Sequence, residues 1–290
     1  MNQFSIKDIE SLTGVKAHTL RTWELRYNIP QPKRTATNIR YYDDNDLKLV
    51  LNFALLNKHG FRISEITKLS EQKRNELISK YSMKSTDQSV HIQSMIAAML
   101  ALDEHGFEKV LASNILSYGL EKTITKLLFP FLKTVGQLWQ AGNINPAYEH
   151  FMSNLIRQKL IVAIDGQYVH AHDKQKKFLL FLPPGEYHEI GLLVANYMIR
   201  ANNHITLYLG ANLPVDEILK MGDVYQPDFI FTSFVTGATE EQVKTLVKKI
   251  SKQFPAQKIL VTGEAFLRHS FTLPKNVFRI SELEDLKKFL

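Results

Sequence analysis

Apolar positions along this chain change their period twice, and the changes mark its parts. Near the N-terminus Ile6, Ile9 and Leu12 recur at helical spacing behind Ser5-x-x-Asp8, a capping-box pattern, and Thr13-Gly14-Val15 breaks the run. A second helix begins near Lys16 and turns Leu20, Trp23 and Tyr27 inward, leaving His18, Thr19, Arg21, Thr22 and Arg26 on its other face. Two short helices around a glycine turn, the second basic on one side, predict a helix-turn-helix. Pro30 and Pro32 then prevent helix, and Lys33, Arg34, Arg40, Tyr41 and Tyr42 suit a β-hairpin wing set against phosphates. Asp43-Asp44-x-Asp46 caps a further helix with Leu47, Val50, Leu51, Ala54 and Leu55 inward, and Phe61 to Ile66 opens a short one.

The polar stretch Ser82 to Ser89 reads as part of an interdomain linker. From Val90 to about Gln167 the signals are helical. Met95, Ile96, Met99, Leu100 and Leu102 make one face, and Val110, Leu111, Ile115 and Leu116 another. Thr123 to Leu138 predicts a third helix kinked at Pro130, and Asn145-Pro146 caps a fourth. Four such elements on short links suggest a helix bundle. Beyond Lys177 short apolar strands alternate with helices. The strands are 177–182, 205–209, 228–234, 258–262 and 277–280, and the helices are 189–201, 214–224, 239–253 and 282–289. Regular alternation of this kind predicts a parallel sheet covered on both faces.

The composition narrows the function classes. A chain of 290 residues with 44% hydrophobic content is ordinary globular protein of two or three domains. No apolar run approaches the ~20 residues that span a bilayer, and the first residues carry no signal pattern, so a cytoplasmic, membrane-independent protein is expected. The absence of cysteine removes disulfides, thiolate metal sensing and a cysteine nucleophile. The net charge of +7 favours a polyanionic partner.

Three stretches carry the chemistry. Thr19-Leu20-Arg21-x-Trp23-Glu24-x-Arg26-Tyr27 and Arg34-Thr35-x-x-Asn38-x-Arg40-x-Tyr42 resemble the winged-helix head of the MerR family of transcriptional regulators. The resemblance implies double-stranded operator DNA as partner, with Lys16, His18, Thr19, Arg21, Thr22, Lys33, Arg34, Arg40 and Tyr41 as its contacts. Glu24 is expected in an internal salt bridge. Further on, Pro183-Pro184-Gly185-Glu186-Tyr187-His188-Glu189-Ile190-Gly191 follows an apolar strand, so it lies at the edge where parallel sheets bind ligands. Glu186 is placed to take one ring proton of His188 and fix its tautomer. Glu186-x-His188-x-x-Gly191 resembles the signature of cobalamin-binding domains, which implies His188 as the lower axial ligand of cobalt and a flavodoxin-like strand order. Ser233, Thr236, Gly263 and Glu264, in the loops after the third and fourth strands, then border the nucleotide tail. Cobalamin domains commonly carry two glycines where this chain has Gly263-Glu264.

Trp139, Glu149 and His150 read by themselves as a bundle loop with Trp139 in the core and Glu149 in a favourable first turn. Their spacing also resembles the Trp…Glu-His motif of light-responsive MerR-type repressors of the Car/Lit group, where these residues surround an upper adenosyl ligand. The expected layout is therefore multidomain, α and α/β: a MerR-type winged helix-turn-helix (1–75), a linker (76–89), a four-helix-bundle cobalamin cap (90–170) and a flavodoxin-like, Rossmann-type cobalamin-binding domain (175–290). The group resemblance implies adenosylcobalamin as cofactor, a homo-oligomer (dimer or tetramer) assembled by it, and loss of assembly and operator affinity in light. That group has a histidine directly after the tryptophan, whereas this chain has Gln140, a poor cobalt ligand. Two other readings stand beside this one: a regulator with a cobalamin-independent domain answering to a protein partner, and a corrinoid methyl carrier, which the DNA-reading head opposes. No separate enzyme site is read.

Overall fold

The computed structural model describes residues 2–85, 87–235, 239–268 and 272–290. The chain divides into two compact units, Met1–Leu155 and Ile156–Leu290. Among the described residues no helix is long and apolar enough to cross a membrane.

The first unit opens with α1 (Ile6–Thr13), whose Ser5 and Asp8 close the expected capping box, and α2 (Ala17–Tyr27). A hairpin of β1 (Lys33–Arg34) and β2 (Arg40–Tyr41) follows, with Lys33 opposite Tyr41 and Arg34 opposite Arg40. Then come α3 (Asp44–Lys58), α4 (Ile63–Ile66) and α5 (Glu71–Lys84). Phe4, Leu20, Trp23, Tyr42 and Phe53 form the small core. Residues 76–84, expected in a linker, are helical: Ser70 caps α5 by accepting from the Lys73 amide, and the run Glu71 to Glu76 is rich in strong helix formers.

The cap region continues as α6 (Gln88–Leu100), α7 (Glu104–Tyr118), α8 (Leu120–Thr123), a π turn (Ile124–Leu128), α9 (Phe129–Gln140) and α10 (Pro146–Asp165). The predicted kink at Pro130 takes the form of this π turn. Pro130 brings no N–H for the Lys126 carbonyl and its ring crowds that group, so the preceding turn widens and the Phe129 amide reaches back to Ile124. Head and cap are joined within the unit. Gln93 on α6 donates to the carbonyl of Thr13, Lys58 pairs with Asp87, and Asn2 bridges Asp44 to the amide of Asn145.

The second unit holds a five-stranded parallel sheet in the order β4-β3-β5-β6-β7, from β3 (Lys177–Phe181), β4 (Ile205–Gly210), β5 (Phe229–Ser233), β6 (Lys258–Thr262) and β7 (Val277–Arg279). In sequence rank this is 2-1-3-4-5, the flavodoxin-like order, with its switch point between β3 and β5. The helices are α11 (Ile190–Ala201), α12 (Val215–Tyr225), α13 (Glu240–Gln253), α14 (Glu264–Arg268) and α15 (Leu283–Lys287). Leu179, Phe181, Ile230, Ile259 and Val261 pack with Ile218 of α12 and Val243, Val247 and Ile250 of α13. By strand alternation, Phe178, Leu180, Phe231 and Ser233 project from the opposite face.

Gly263 sits at φ +105°, and a Cβ there would lie 2.2 Å from the Phe234 carbonyl oxygen. The glycine thus lets the loops after β5 and β6 abut. Gly263→Ala should lower stability by roughly 3 kcal/mol or more, from strain and overpacking together. The fall would be read from the urea midpoint, and an unchanged midpoint would mean that the two loops do not meet.

Candidate functional site

On α2 the expected division of faces is present. Leu20 and Trp23 are buried and Tyr27 partly so, while Lys16, His18, Arg21 and Thr22 are exposed and Thr19 is half-buried. In the hairpin Arg34 and Arg40 are exposed and Tyr41 half-buried. The Arg34 guanidinium donates to the Asn38 side-chain oxygen (2.9 Å), which steadies the turn. Two hairpin residues depart from the expectation. Tyr42 is fully buried, paired through its backbone with Phe4, and its hydroxyl donates to Glu24. Glu24 therefore meets a phenol where a cation was expected, and burial followed by that carboxylate pushes the phenol pKa up. Lys33 pairs with Asp43, the N-cap of α3, and this bond raises the ammonium pKa. It anchors the wing to the helix behind it.

In the cap, Trp139 lies at the end of α9 and is 47% exposed, so it is not the core residue that a plain bundle loop predicts. Only residues 141–145 separate α9 from α10, whose first turn carries Glu149 and His150, and Asn145 caps it by accepting from the Ala147 amide (2.9 Å). Glu149 Oε2 lies 3.3 Å from His150 Nδ1, and the His150 ring is mostly exposed. Trp139 and the Glu149–His150 pair thus stand on either side of one short connection, all three at least partly exposed. Gln140 is exposed next to it.

At the carboxyl edge of the second unit's sheet, Glu186 is the organising residue. It is only 2% exposed. Its Oε1 accepts from the amides of Tyr187 (3.0 Å) and His188 (2.9 Å) and from His188 Nδ1 (2.6 Å), and its Oε2 accepts from the Val235 amide (2.7 Å). Every one of these uses acceptor capacity, which the ionised carboxylate supplies in full. The loop after β3 is thereby tied to the loop after β5. With Nδ1 donating to Glu186, the neutral ring carries its lone pair on Nε2. The His188 side chain is 48% exposed and Tyr187 67% exposed.

The neighbouring positions test whether a large planar ligand fits. A Cβ added at Gly191 would meet nothing within 4 Å, so the start of α11 has clearance. Ser233 is buried at the end of β5, on the α11 side of the sheet. Gly263, expected to let a ligand's tail pass, is instead filled by the Phe234 backbone, and exposed Glu264 starts α14. Thr236 lies outside the described residues. The imidazole, its carboxylate and the clearance fit a cobalamin.

Several supporting residues had no signal in the sequence. Glu189, next to His188, accepts from Arg157 Nη2 (2.7 Å) and Nε (3.0 Å) and from the Tyr208 hydroxyl (2.6 Å). Burial, then the Glu189 bond, pushes the Tyr208 pKa up. Asn212 accepts from the Gly185 amide (2.9 Å) and donates its own amide to the Glu186 carbonyl (3.2 Å). Only the adjacency of Glu189 to the motif hinted at any of this.

Comparison with known proteins covers the same parts of the chain. Residues 4–73 match the model of the MerR HTH family regulatory protein, and residues 91–163 match a B12 binding domain. The HTH-type transcriptional repressor CarH of Myxococcus xanthus is 27% identical over 97% of this chain and 96% of its own length. CarA of the same organism is 25% identical over 91% and 88%. The monomethylamine corrinoid protein of Methanosarcina barkeri superposes with a TM-score of 0.53 at 15% identity, covering 66% of this chain and 92% of its own, a likeness of fold. Head, cap and sheet thus occur in one order along one chain, which carries a MerR-type HTH region and a B12 binding domain and is similar over nearly its whole length to the transcriptional repressors CarH and CarA.

Proposed function

We propose that this regulator is a repressor whose hold on operator DNA is set by adenosylcobalamin, with His188 as the lower ligand of cobalt. The observation that carries the reading is the Glu186–His188 pair, a buried carboxylate orienting a half-exposed imidazole at the switch point of the sheet. When bound, adenosylcobalamin supplies a light-sensitive cobalt–carbon bond, the chemistry that makes light a signal. Glu186 holds the ring proton at Nδ1 and so presents Nε2 to the metal. Gly191 leaves the corrin room, and Ser233 is assigned to the nucleotide tail. Trp139, Glu149 and His150 are assigned to the upper, adenosyl side. Gln140 offers no imidazole to take over that side once the adenosyl group has gone.

On the DNA side, Arg21, Arg34 and Arg40 are assigned to phosphates, and Lys16, His18, Thr19 and Thr22 to the groove, with Tyr41 beside the wing. Lys33 is assigned to anchoring, because Asp43 engages its ammonium. A cofactor-assembled dimer or tetramer would then raise operator affinity by linking heads, without any new contact at the DNA.

Gel filtration in the dark should show adenosylcobalamin comigrating with the chain, with a smaller species after illumination. Pigment bound without a change of size would leave a cobalamin sensor that is blind to light. Glu186→Gln should weaken cobalamin binding about ten- to a hundredfold, as loss of an orienting partner does for ligating histidines, and equal affinity would remove Glu186 from this role. Arg40→Ala should weaken operator binding and reduce the slope of log affinity against log salt by about one, whereas an unchanged slope would take the wing off the backbone.

A further inference from the structure

Among the described residues of the head, two large aliphatic side chains stand exposed, Leu25 at 88% and Ile39 at 65%. Both belong to DNA-facing elements in the reading above: Leu25 to α2 and Ile39 to the tip of the β1–β2 hairpin. The head otherwise covers its large apolar groups, and what sets Leu25 apart from other exposed aliphatics is its place on the face assigned to DNA. Leu25 follows His18, Arg21 and Thr22 at i+7, i+4 and i+3, which puts all four on one stripe, opposite the buried Leu20 and Trp23. The Thr22 hydroxyl already donates to the His18 carbonyl (3.0 Å), so its hydrogen is engaged within the helix. The middle of the stripe therefore offers hydrocarbon flanked by the charge of Arg21.

In the major groove the feature that hydrocarbon recognises is the C5-methyl of thymine, which no other base of unmodified DNA carries. The geometry points to Leu25 as a specificity residue that reads a thymine methyl in the operator half-site, with Arg21 beside it. This rests on the assignment of α2 to the groove and names what one position of that face reads. Full exposure in the free protein is what such a role requires, since a methyl contact desolvates the leucine only on the DNA.

The test uses the full chain. A site is selected from a random duplex pool, with the chain in whichever form, apo or cobalamin-loaded in the dark, binds most tightly. Each thymine is then replaced singly by deoxyuridine, which keeps the pairing and removes the methyl. Wild type should lose about three- to fivefold in affinity at one thymine per half-site, the effect of exposing one buried methyl. Leu25→Ala should bind the unsubstituted site more weakly by a similar factor and be indifferent to deoxyuridine at that position. Leu25 is so exposed that the substitution leaves the core untouched. Wild type that ignores every methyl, or a Leu25→Ala variant that keeps the wild-type sensitivity, overturns the proposal. Arg21→Ala separates the two levels. If it binds as wild type, the groove-facing assignment of α2 itself fails; if it binds weakly while methyl sensitivity is absent, only the role of Leu25 fails.

Discussion

The second unit depends on one buried carboxylate. Glu186 accepts from three groups of its own loop and from Val235 across the switch point, so the position of the imidazole and the spacing of two sheet loops are set together. A buried charge is costly unless it is fully hydrogen-bonded, and here the partners are mostly backbone amides that cannot move without moving the strands. Arg157, through Glu189, and Asn212 brace the same loop from α10 and from the turn after β4. A half-exposed histidine held this firmly presents its imidazole in one orientation.

The first unit follows the same logic. The surface proposed to read DNA is a thin layer, one helix face and a hairpin with two-residue strands, fixed from behind by Tyr42 and Glu24, by Lys33 and Asp43, and by Phe4 pairing with Tyr42. The contacts of Asn2, Gln93 and Lys58 then join this layer to the cap helices. Head and cap region therefore share one folded unit, and the α9–α10 connection that carries Asn145 is tied through Asn2 to the start of α3.

Much of the fold was legible because it is local. Strands 177–182 and 258–262 announce themselves as continuous apolar runs, since both faces of a parallel sheet are covered, and they fall within a residue of β3 and β6. Ser5 with Asp8 marks the start of α1 for an equally local reason. The misreadings have physical causes too. Residues 76–84 continue α5 from its Ser70 cap, and the polar stretch that begins at Ser82 does not by itself separate the end of a helix from a linker. Gly263 invites a reading as ligand clearance, yet its neighbour is the Phe234 backbone, which no spacing reveals. The Val235 contact to Glu186 spans 49 residues, and those of Glu189 to Arg157 and Tyr208 span 32 and 19, so none leaves a periodic trace. The imidazole itself was legible, because its tautomer partner stands two residues away.

The central claim is that His188 supplies the nitrogen below cobalt, and electron paramagnetic resonance of the bound cobalt(II) form tests it most directly. The chain would be prepared twice, once with ordinary histidine and once with histidine labelled with nitrogen-15. A single axial nitrogen of spin one splits each cobalt line into three, and the label should reduce this to two in the wild type. A triplet that survives the labelling would mean that the cofactor's own base remains on the metal, and His188 would have no part in holding it.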